Sequence, residues 1–267
     1  MAEETEKKKD EFELSEAELA EIKKQEAARL EEIQKVERSK ANLSGKNLSN
    51  KDLRGADLSD GKLNRADLSN SILIDANLSN ASLTDANLSG ADLSGANLSN
   101  AGLIEADLSQ CNLSNSNLSD ADCRDAQFDR ADLRNVNMDG ADFSWANLSN
   151  AALNESNFIE TDFTEANFYG ADLRNAVFEN TIVDKAMLTD AQLEGTDFSS
   201  VLNLEPEQIE SILIDKATRL PDYINISWTS KSTFKVSKRK TEEETKPPEP
   251  RKKPGAKKVV KKAKKKR

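Results

Sequence analysis

The feature that most constrains this chain is an apolar residue at every fifth position across residues 41–200. From Leu43 to Phe198 there are 32 such positions, and all are apolar: 22 are Leu, seven are Phe, and the others are Cys123, Met138 and Val183. Five residues correspond to about 1.4 turns of an α-helix, so this period would scatter the apolar side chains around a helix. The pattern therefore indicates a repeated unit that is not helical.

The residues around each of these central positions define one repeat. Two residues earlier is a small position, usually Ala, and between them is a middle position, usually Asp or Asn. Two turn positions follow; Ser is common at the first, and Gly, Asn or Asp occupies 22 of the 32 second positions. The first three positions alternate as an extended strand does, and Gly, Asn and Asp tolerate the positive φ of tight turns. Each repeat therefore predicts a very short strand followed by a corner.

A chain that turns after every five residues must coil, and its coils stack because one coil alone cannot pair its backbone or cover its Leu side. The residues alone leave open the number of corners per coil. The runs 76–80, Ala-Asn-Leu-Ser-Asn, and 86–95, Ala-Asn-Leu-Ser-Gly-Ala-Asp-Leu-Ser-Gly, resemble the pentapeptide-repeat family over 160 of 267 residues. This resemblance implies an all-β fold: a right-handed parallel quadrilateral β-solenoid with four repeats per coil and about eight coils, roughly 38 Å long.

A coil of twenty residues would stack residues that are twenty apart. Met138, Phe158, Phe178 and Phe198 would then stack inside the solenoid. On the outside of the same face, an amide ladder would form from five asparagines: Asn77, Asn97, Asn117, Asn137 and Asn157.

Residues 1–40 form a charged N-terminal segment with a predicted helix over 15–38. Ser15 and Glu18 fit a capping box, and apolar residues recur at helical spacing after it. The helix could cap the first coil, stand free, or pair as a coiled coil. The coiled coil is disfavoured because Glu26 and Arg29 interrupt the apolar seam.

After the repeats, residues 201–229 resemble the extension that often follows the repeats in this family. We expect a helix that starts near Pro206 and places Ile209, Ile212 and Leu213 over the last coil. Residues 230–267 are rich in Lys, Glu and Pro, so a disordered basic tail is predicted there.

Charge is segregated along the chain. The net charge is −10, but residues 41–200 carry −16 and residues 201–267 carry +10. Dense Lys without aromatic residues attracts nucleic acid or another polyanion in a salt-sensitive way. Alternatively, the tail only solubilises the chain or folds back onto the acidic repeats. The candidate polyanion-binding residues are Lys252, Lys253, Lys257, Lys258, Lys261, Lys262, Lys264, Lys265, Lys266 and Arg267.

The sequence lacks the motifs expected of an enzyme. The chain contains no histidine, and both cysteines, Cys111 and Cys123, occupy inward positions; no phosphate loop or zinc spacing is present, so no cofactor is expected. One acidic stripe stands apart, formed by Asp122, Asp142 and Asp162. Like charges at this spacing are expected to raise one another's pKa, although a solvated stripe is favoured over a cation site.

The sequence predicts a cytoplasmic, non-catalytic binding or scaffolding module with an unidentified protein partner. No apolar stretch reaches the length of a signal-peptide core or membrane span, so no membrane association is expected. The family resemblance implies one alternative, a DNA mimic that binds a type II topoisomerase (gyrase). Another alternative is a nucleic-acid-associated protein that acts through its basic tail. The oligomeric state is left open.

Overall fold

The computed structural model describes residues 14–230 and 233–239. The first element is helix α1, Glu16–Arg38, followed by a 3-10 helix at Lys40–Asn42. The hydroxyl of Ser15 accepts the backbone N–H of Glu18, whose carboxylate accepts the N–H of Ser15. The predicted capping box is confirmed, and it fixes where α1 begins.

Parallel pairing between residues twenty apart builds the repeat region. The bridges run from Asn47↔Asp67 to Asp172↔Gln192, so each coil contains four repeats. Each coil donates to the next: the N–H of Leu68 donates to the carbonyl of Asn87 (2.6 Å), and the N–H of Asn87 donates back to Ala66 (2.9 Å). One coil therefore pairs its backbone through its neighbours, as the sequence predicted.

Every corner contains a residue in the left-handed region. The second turn position has a positive φ, between 53° and 74°, in all repeats from Gly45 to Gly195. Nine of these residues are neither Gly, Asn nor Asp: Arg65, Glu105, Gln110, Arg130, Trp145, Glu155, Glu160, Glu165 and Lys185. Because the left-handed conformation costs such residues roughly 1–2 kcal/mol each, the surrounding backbone hydrogen bonds must impose the turn.

The core is filled by the central and small positions. Phe158 and Phe178 have ring centroids 4.8 Å apart, and Phe178 and Phe198 4.5 Å, with Met138 fully buried below them. The predicted internal stack is confirmed. Most hydroxyls at small positions are paired: Thr161 donates to the carbonyl of Met138 at 2.8 Å, twenty-three residues earlier, whereas the buried hydroxyl of Ser116 has no partner among the described residues.

The C-terminal segment departs from the predicted helix. Strand β1, Glu179–Ile182, pairs in parallel with β2, Ser200–Leu202, and helix α2 comprises only Pro206–Ile209. Ile209 and Ile212 are buried as expected, but the expectation for Leu213 is wrong, since its side chain is 47% exposed. Leu213 pairs as extended backbone with Gln192, and strand alternation therefore turns its side chain outward.

An antiparallel hairpin follows, made of β3, Ile224–Trp228, and β4, Phe234–Lys238. The prediction of disorder from residue 230 is therefore wrong for β4. Ile226, Trp228, Phe234 and Val236 pack against the buried core, and this burial stabilises the hairpin although β4 carries two lysines. Residues 240–267 lie outside the described residues.

Candidate interaction surface

The outward middle positions have a structural role that the sequence analysis did not recognise. Their side-chain oxygen accepts the N–H two residues later: Asp142 from Ser144 at 2.9 Å, Asp162 from Thr164 at 2.8 Å. Such turns favour Asp and Asn because only their short side chains reach this N–H. The recurrence of Asp or Asn two residues before Ser was the available signal. Many acidic residues therefore hold the corners as well as charging the surface.

The amide ladder is confirmed on one face. The side-chain amide of Asn97 donates to Asn77 at 3.4 Å, and the contacts of Asn137 with Asn117 and of Asn157 with Asn137 are 3.2 and 3.1 Å. The middle positions of this face are uncharged over these coils, unlike those of the face that follows it along the chain.

Asp122, Asp142 and Asp162 form one column, because bridges pair each with the next. The guanidinium of Arg124 donates to both carboxylate oxygens of Asp122 at 2.7 Å, and its Nε lies 3.7 Å from Asp142. This contact lowers the pKa of Asp122 below its ordinary value. The expected upward shift is therefore wrong for Asp122, since a bidentate cation outweighs its acidic neighbours.

Further carboxylates flank this column on both corners. We call the surface formed by residues 119–125, 139–145, 159–165 and 179–185 the acidic face. It carries only two cations, Arg124 and Lys185. Its ten carboxylates are Asp120, Asp122, Asp125, Asp139, Asp142, Glu160, Asp162, Glu165, Glu179 and Asp184.

The next face and the opposite face are less charged over the same coils. Residues 127, 147 and 167 are Gln or Asn, while Asp132 and Asp172 are each paired bidentately with the arginine two residues later. The negative charge of this half of the solenoid is thus concentrated on one side.

An indole ring lies exposed on the acidic face. Trp145 occupies a second turn position and is 51% exposed. Backbone hydrogen bonds from Asp125 to Ser144 and from Trp145 to Thr164 place it in the corner column between Asp125 and Glu165. The acidic face therefore combines carboxylates with one aromatic surface.

Side chains replace missing coils at both ends of the repeats. The carboxylate of Glu37 accepts the N–H of Asp57 (2.8 Å), and the guanidinium of Arg29 donates to the carbonyl of Arg54 (3.1 Å). At the other end the carboxylate of Asp215 accepts the N–H of Gly195 (3.0 Å). These contacts pair backbone groups that an adjacent coil would otherwise take.

The two cysteines lie where the repeat predicts them, inside the core and unpaired. Burial raises the pKa of the Cys111 thiol to about 12 and that of Cys123 well above its ordinary value. Neither thiol is therefore an activated nucleophile at neutral pH.

Other site features are few in the described part of the chain. It contains no group of His, Cys, Asp and Glu arranged to hold a metal ion, and none of its helices has both the length and the apolarity to span a bilayer. The candidate polyanion-binding residues 252–267 lie outside the described residues. Clefts lie where α1 meets the first coil and where the C-terminal segment meets the last one.

Comparison with known proteins identifies the repeat. A model described as "Pentapeptide repeats (8 copies)" matches residues 39–70, 62–100 and 141–180, and one described as "Pentapeptide repeat region" matches residues 84–158. Together they cover residues 39–180, more than half of the chain. No curated protein matched.

Two solved structures are similar at low TM-scores. HetL, a pentapeptide repeat protein involved in heterocyst differentiation regulation in the cyanobacterium Nostoc sp. strain PCC 7120, is 28% identical, with a TM-score of 0.32 over 69% of this chain and 93% of HetL. QnrB1, a plasmid-mediated fluoroquinolone resistance protein, is 20% identical, with a TM-score of 0.32 over 61% of this chain and 88% of QnrB1. The assignment rests on the repeat models: the chain belongs to the pentapeptide-repeat family.

Proposed function

We propose that this chain is a non-catalytic binding or scaffolding module that acts in the cytoplasm. The observation that carries the proposal is the division of the repeats: the central and small positions fill the core, so the middle and turn positions alone meet a partner. A regular surface of this kind favours recognition over chemistry, and a chain without histidine has few general acid–base residues.

In this proposal residues 41–200 form eight right-handed coils, and the segments on either side close their ends. Residues 1–40 cover the first coil through α1, where Ile33 and Val36 are buried. The C-terminal cap extends through Arg239 rather than 229, because β4 belongs to the hairpin. The basic tail then comprises residues 240–267.

A pull-down with two chains tests the proposal. The full chain and a chain ending at Arg239 are used as baits; a cut at Ser230 would remove β4 and expose apolar residues. A partner recovered by both baits, and lost when the charges of the acidic face are neutralised, supports a role for the repeats. If the purified chain chemically modified a recovered partner, the non-catalytic proposal would be contradicted.

The acidic face favours a second candidate, mimicry of duplex DNA toward a type II topoisomerase. Ten carboxylates on one side of a rod present a negative surface, as duplex DNA does. If this candidate is right, we expect the chain to compete with duplex DNA for binding to the topoisomerase. Binding of gyrase by the chain ending at Arg239, displaced by added duplex, tests it; recovery of gyrase only by baits that keep residues 240–267 contradicts it.

A third candidate is a nucleic-acid-associated protein that acts through residues 251–267. Its support is compositional: eleven Lys or Arg and no acidic residue in 17 positions. Titration of a labelled duplex against the full chain and the chain ending at Arg239 tests it.

A further inference from the structure

The acidic face and the lysine-rich end of the chain have opposite charge and lie within reach of each other. We propose that residues 251–267 dock on the acidic face of the same molecule, so that the tail is held in cis until a stronger polyanion displaces it. This inference goes beyond the proposed function, because it requires no external partner.

The path of the chain favours this docking. The N–H of Arg239 donates to the carbonyl of Tyr223 (2.7 Å), whose hydroxyl accepts the N–H of Leu204 (3.2 Å). Two residues before Leu204, the carbonyl of Leu202 accepts the N–H of Val183 (3.0 Å), within the top row of the acidic face. A series of three hydrogen bonds therefore connects the last described residue, Arg239, to the top row of the acidic face.

Residues 240–250 are long enough to make the connection. Eleven residues span up to about 38 Å at full extension. The four rows of the acidic face extend over about 14 Å at the spacing of stacked strands. The first residues of 251–267 can therefore reach any row.

Charge and tethering act together in this contact. The acidic face has ten carboxylates and two cations, and residues 251–267 carry eleven cations. A covalent tether of this length gives an effective concentration on the order of millimolar, so weak pairwise attractions suffice. A second copy of the chain would offer the same charges only at its bulk concentration.

Trp145 adds a contact that charge alone does not supply. Its exposed ring lies between Asp125 and Glu165 in one column. Lys side chains place an apolar stem on such a ring and an ammonium near its face. We therefore expect the fluorescence emission of Trp145 to change when the tail docks.

Carbodiimide cross-linking of the full chain tests the docking, since it joins a lysine amine to a carboxylate in contact. Asp122→Asn, Asp142→Asn and Asp162→Asn are combined in one variant. The matched control combines Asp67→Asn, Asp92→Asn and Asp107→Asn, which remove the same charge from other faces. Asn keeps the side-chain oxygen that each turn uses, so both variants should fold, and circular dichroism checks this.

We expect tail cross-links to Glu160, Glu165 and Asp184 in the full chain and in the control. The acidic-face variant should lose most of them, on the order of fivefold, and 1 M salt should abolish them because the screening length is then about 3 Å. Cross-links spread equally over all faces would overturn the proposal. So would cross-links that join isotopically labelled to unlabelled copies.

Trp145 fluorescence gives an independent readout. The chain has two tryptophans, so Trp228→Phe leaves Trp145 as the sole indole. We expect its emission to shift with salt in the full chain and to stay constant when the lysines of 251–267 are replaced by glutamine. An identical salt response in both chains would overturn the docking.

Discussion

At the residue scale, each position of the repeat is constrained by a different physical requirement. The central position fills the core, the small position fits beside it in the core, and the middle side chain accepts an N–H of the following turn. The second turn position must adopt a positive φ, which even Trp145 does. Substitutions should therefore differ sharply in cost according to position rather than according to residue type.

Enlarging a small position should destabilise the solenoid. Ala96 is buried, whereas Ser99 is partly exposed at a first turn position. We expect Ala96→Leu to lower the free energy of unfolding by about 1–3 kcal/mol through overpacking. Ser99→Leu should change it by roughly 0.5 kcal/mol or less. Urea denaturation of both variants measures the difference; equal midpoints would contradict the inside–outside assignment.

Both thiols should react slowly in the folded protein. Cys111 is buried with a pKa raised to about 12, and Cys123 is fully buried. Because only an accessible thiolate reacts, we expect native labelling to be far slower than labelling in urea. Mass spectrometry after timed alkylation measures both rates. Similar rates in the two conditions would show that the core opens readily.

The charge of Asp57 should make the first coil sensitive to acid. The hydroxyl of Ser59 and the ammonium of Lys40 lower the pKa of Asp57 from 3.8 to about 2. A lowered folded-state pKa stabilises the fold above the unfolded value, and this contribution is lost as pH falls from about 4 toward 2. We expect the stability advantage over Asp57→Asn to shrink across that window. An advantage that is constant between pH 5 and pH 2.5 would contradict this.

At the element scale, the elements flanking the solenoid are shaped to replace absent coils. Helix α1 buries Ile33 and Val36, and its Glu37 and Arg29 pair backbone groups at the open edge. At the other end α2 has only four residues, and the β3–β4 hairpin packs partly buried apolar side chains, Trp228 and Phe234 among them, against the core. Because open strand edges invite association, these contacts matter for solubility as well as stability.

Removing the carboxylate of Glu37 should expose one edge of the first coil. Glu37→Ala leaves the N–H of Asp57 without its side-chain acceptor, so we expect a loss of about 0.5–1.5 kcal/mol. Glu37→Gln keeps an acceptor oxygen and serves as the matched control, with a smaller loss. Thermal and urea denaturation measure both. If Glu37→Gln costs as much as Glu37→Ala, the charge rather than the hydrogen bond stabilises the end.

At the scale of the whole molecule, the chain combines an acidic rod with a basic end. Within the repeats the negative charge is concentrated, since one face of the solenoid holds ten carboxylates, whereas Asp132 and Asp172 on the opposite face are paired with arginines. We expect an approaching polyanion to be repelled by the acidic face and attracted by residues 251–267.

Duplex DNA should bind the tail in competition with the rod. We expect weak binding by the full chain, tighter binding by a peptide of residues 251–267, and none by the chain ending at Arg239. Binding by counterion release should weaken steeply with salt, with a slope set by the phosphates neutralised. Titration of a labelled duplex at two salt concentrations measures this. Equal binding by the truncated and full chains would exclude the tail.

The sequence by itself determined the repeat, its inward and outward positions and its corners, because a five-residue period leaves each side chain one local environment. It also determined the start of α1 through the local capping box of Ser15 and Glu18. The same local pattern predicted the Asn77 ladder, once the family resemblance had given the coil length. These features depend on contacts within one repeat or between identical repeats.

Tertiary structure decided what lies at the ends and what the charges meet. The side chain of Leu213 points outward because its backbone pairs with Gln192. Strand β4 is stabilised because its Phe234 and Val236 pack against the core. The sequence of β4 alternates apolar and polar residues, but its lysines gave it a composition similar to that of the basic tail that follows. The pKa of Asp122 fell because Arg124 reached it. Such outcomes depend on which side chains the coils bring together, and residue order within a single repeat does not specify that.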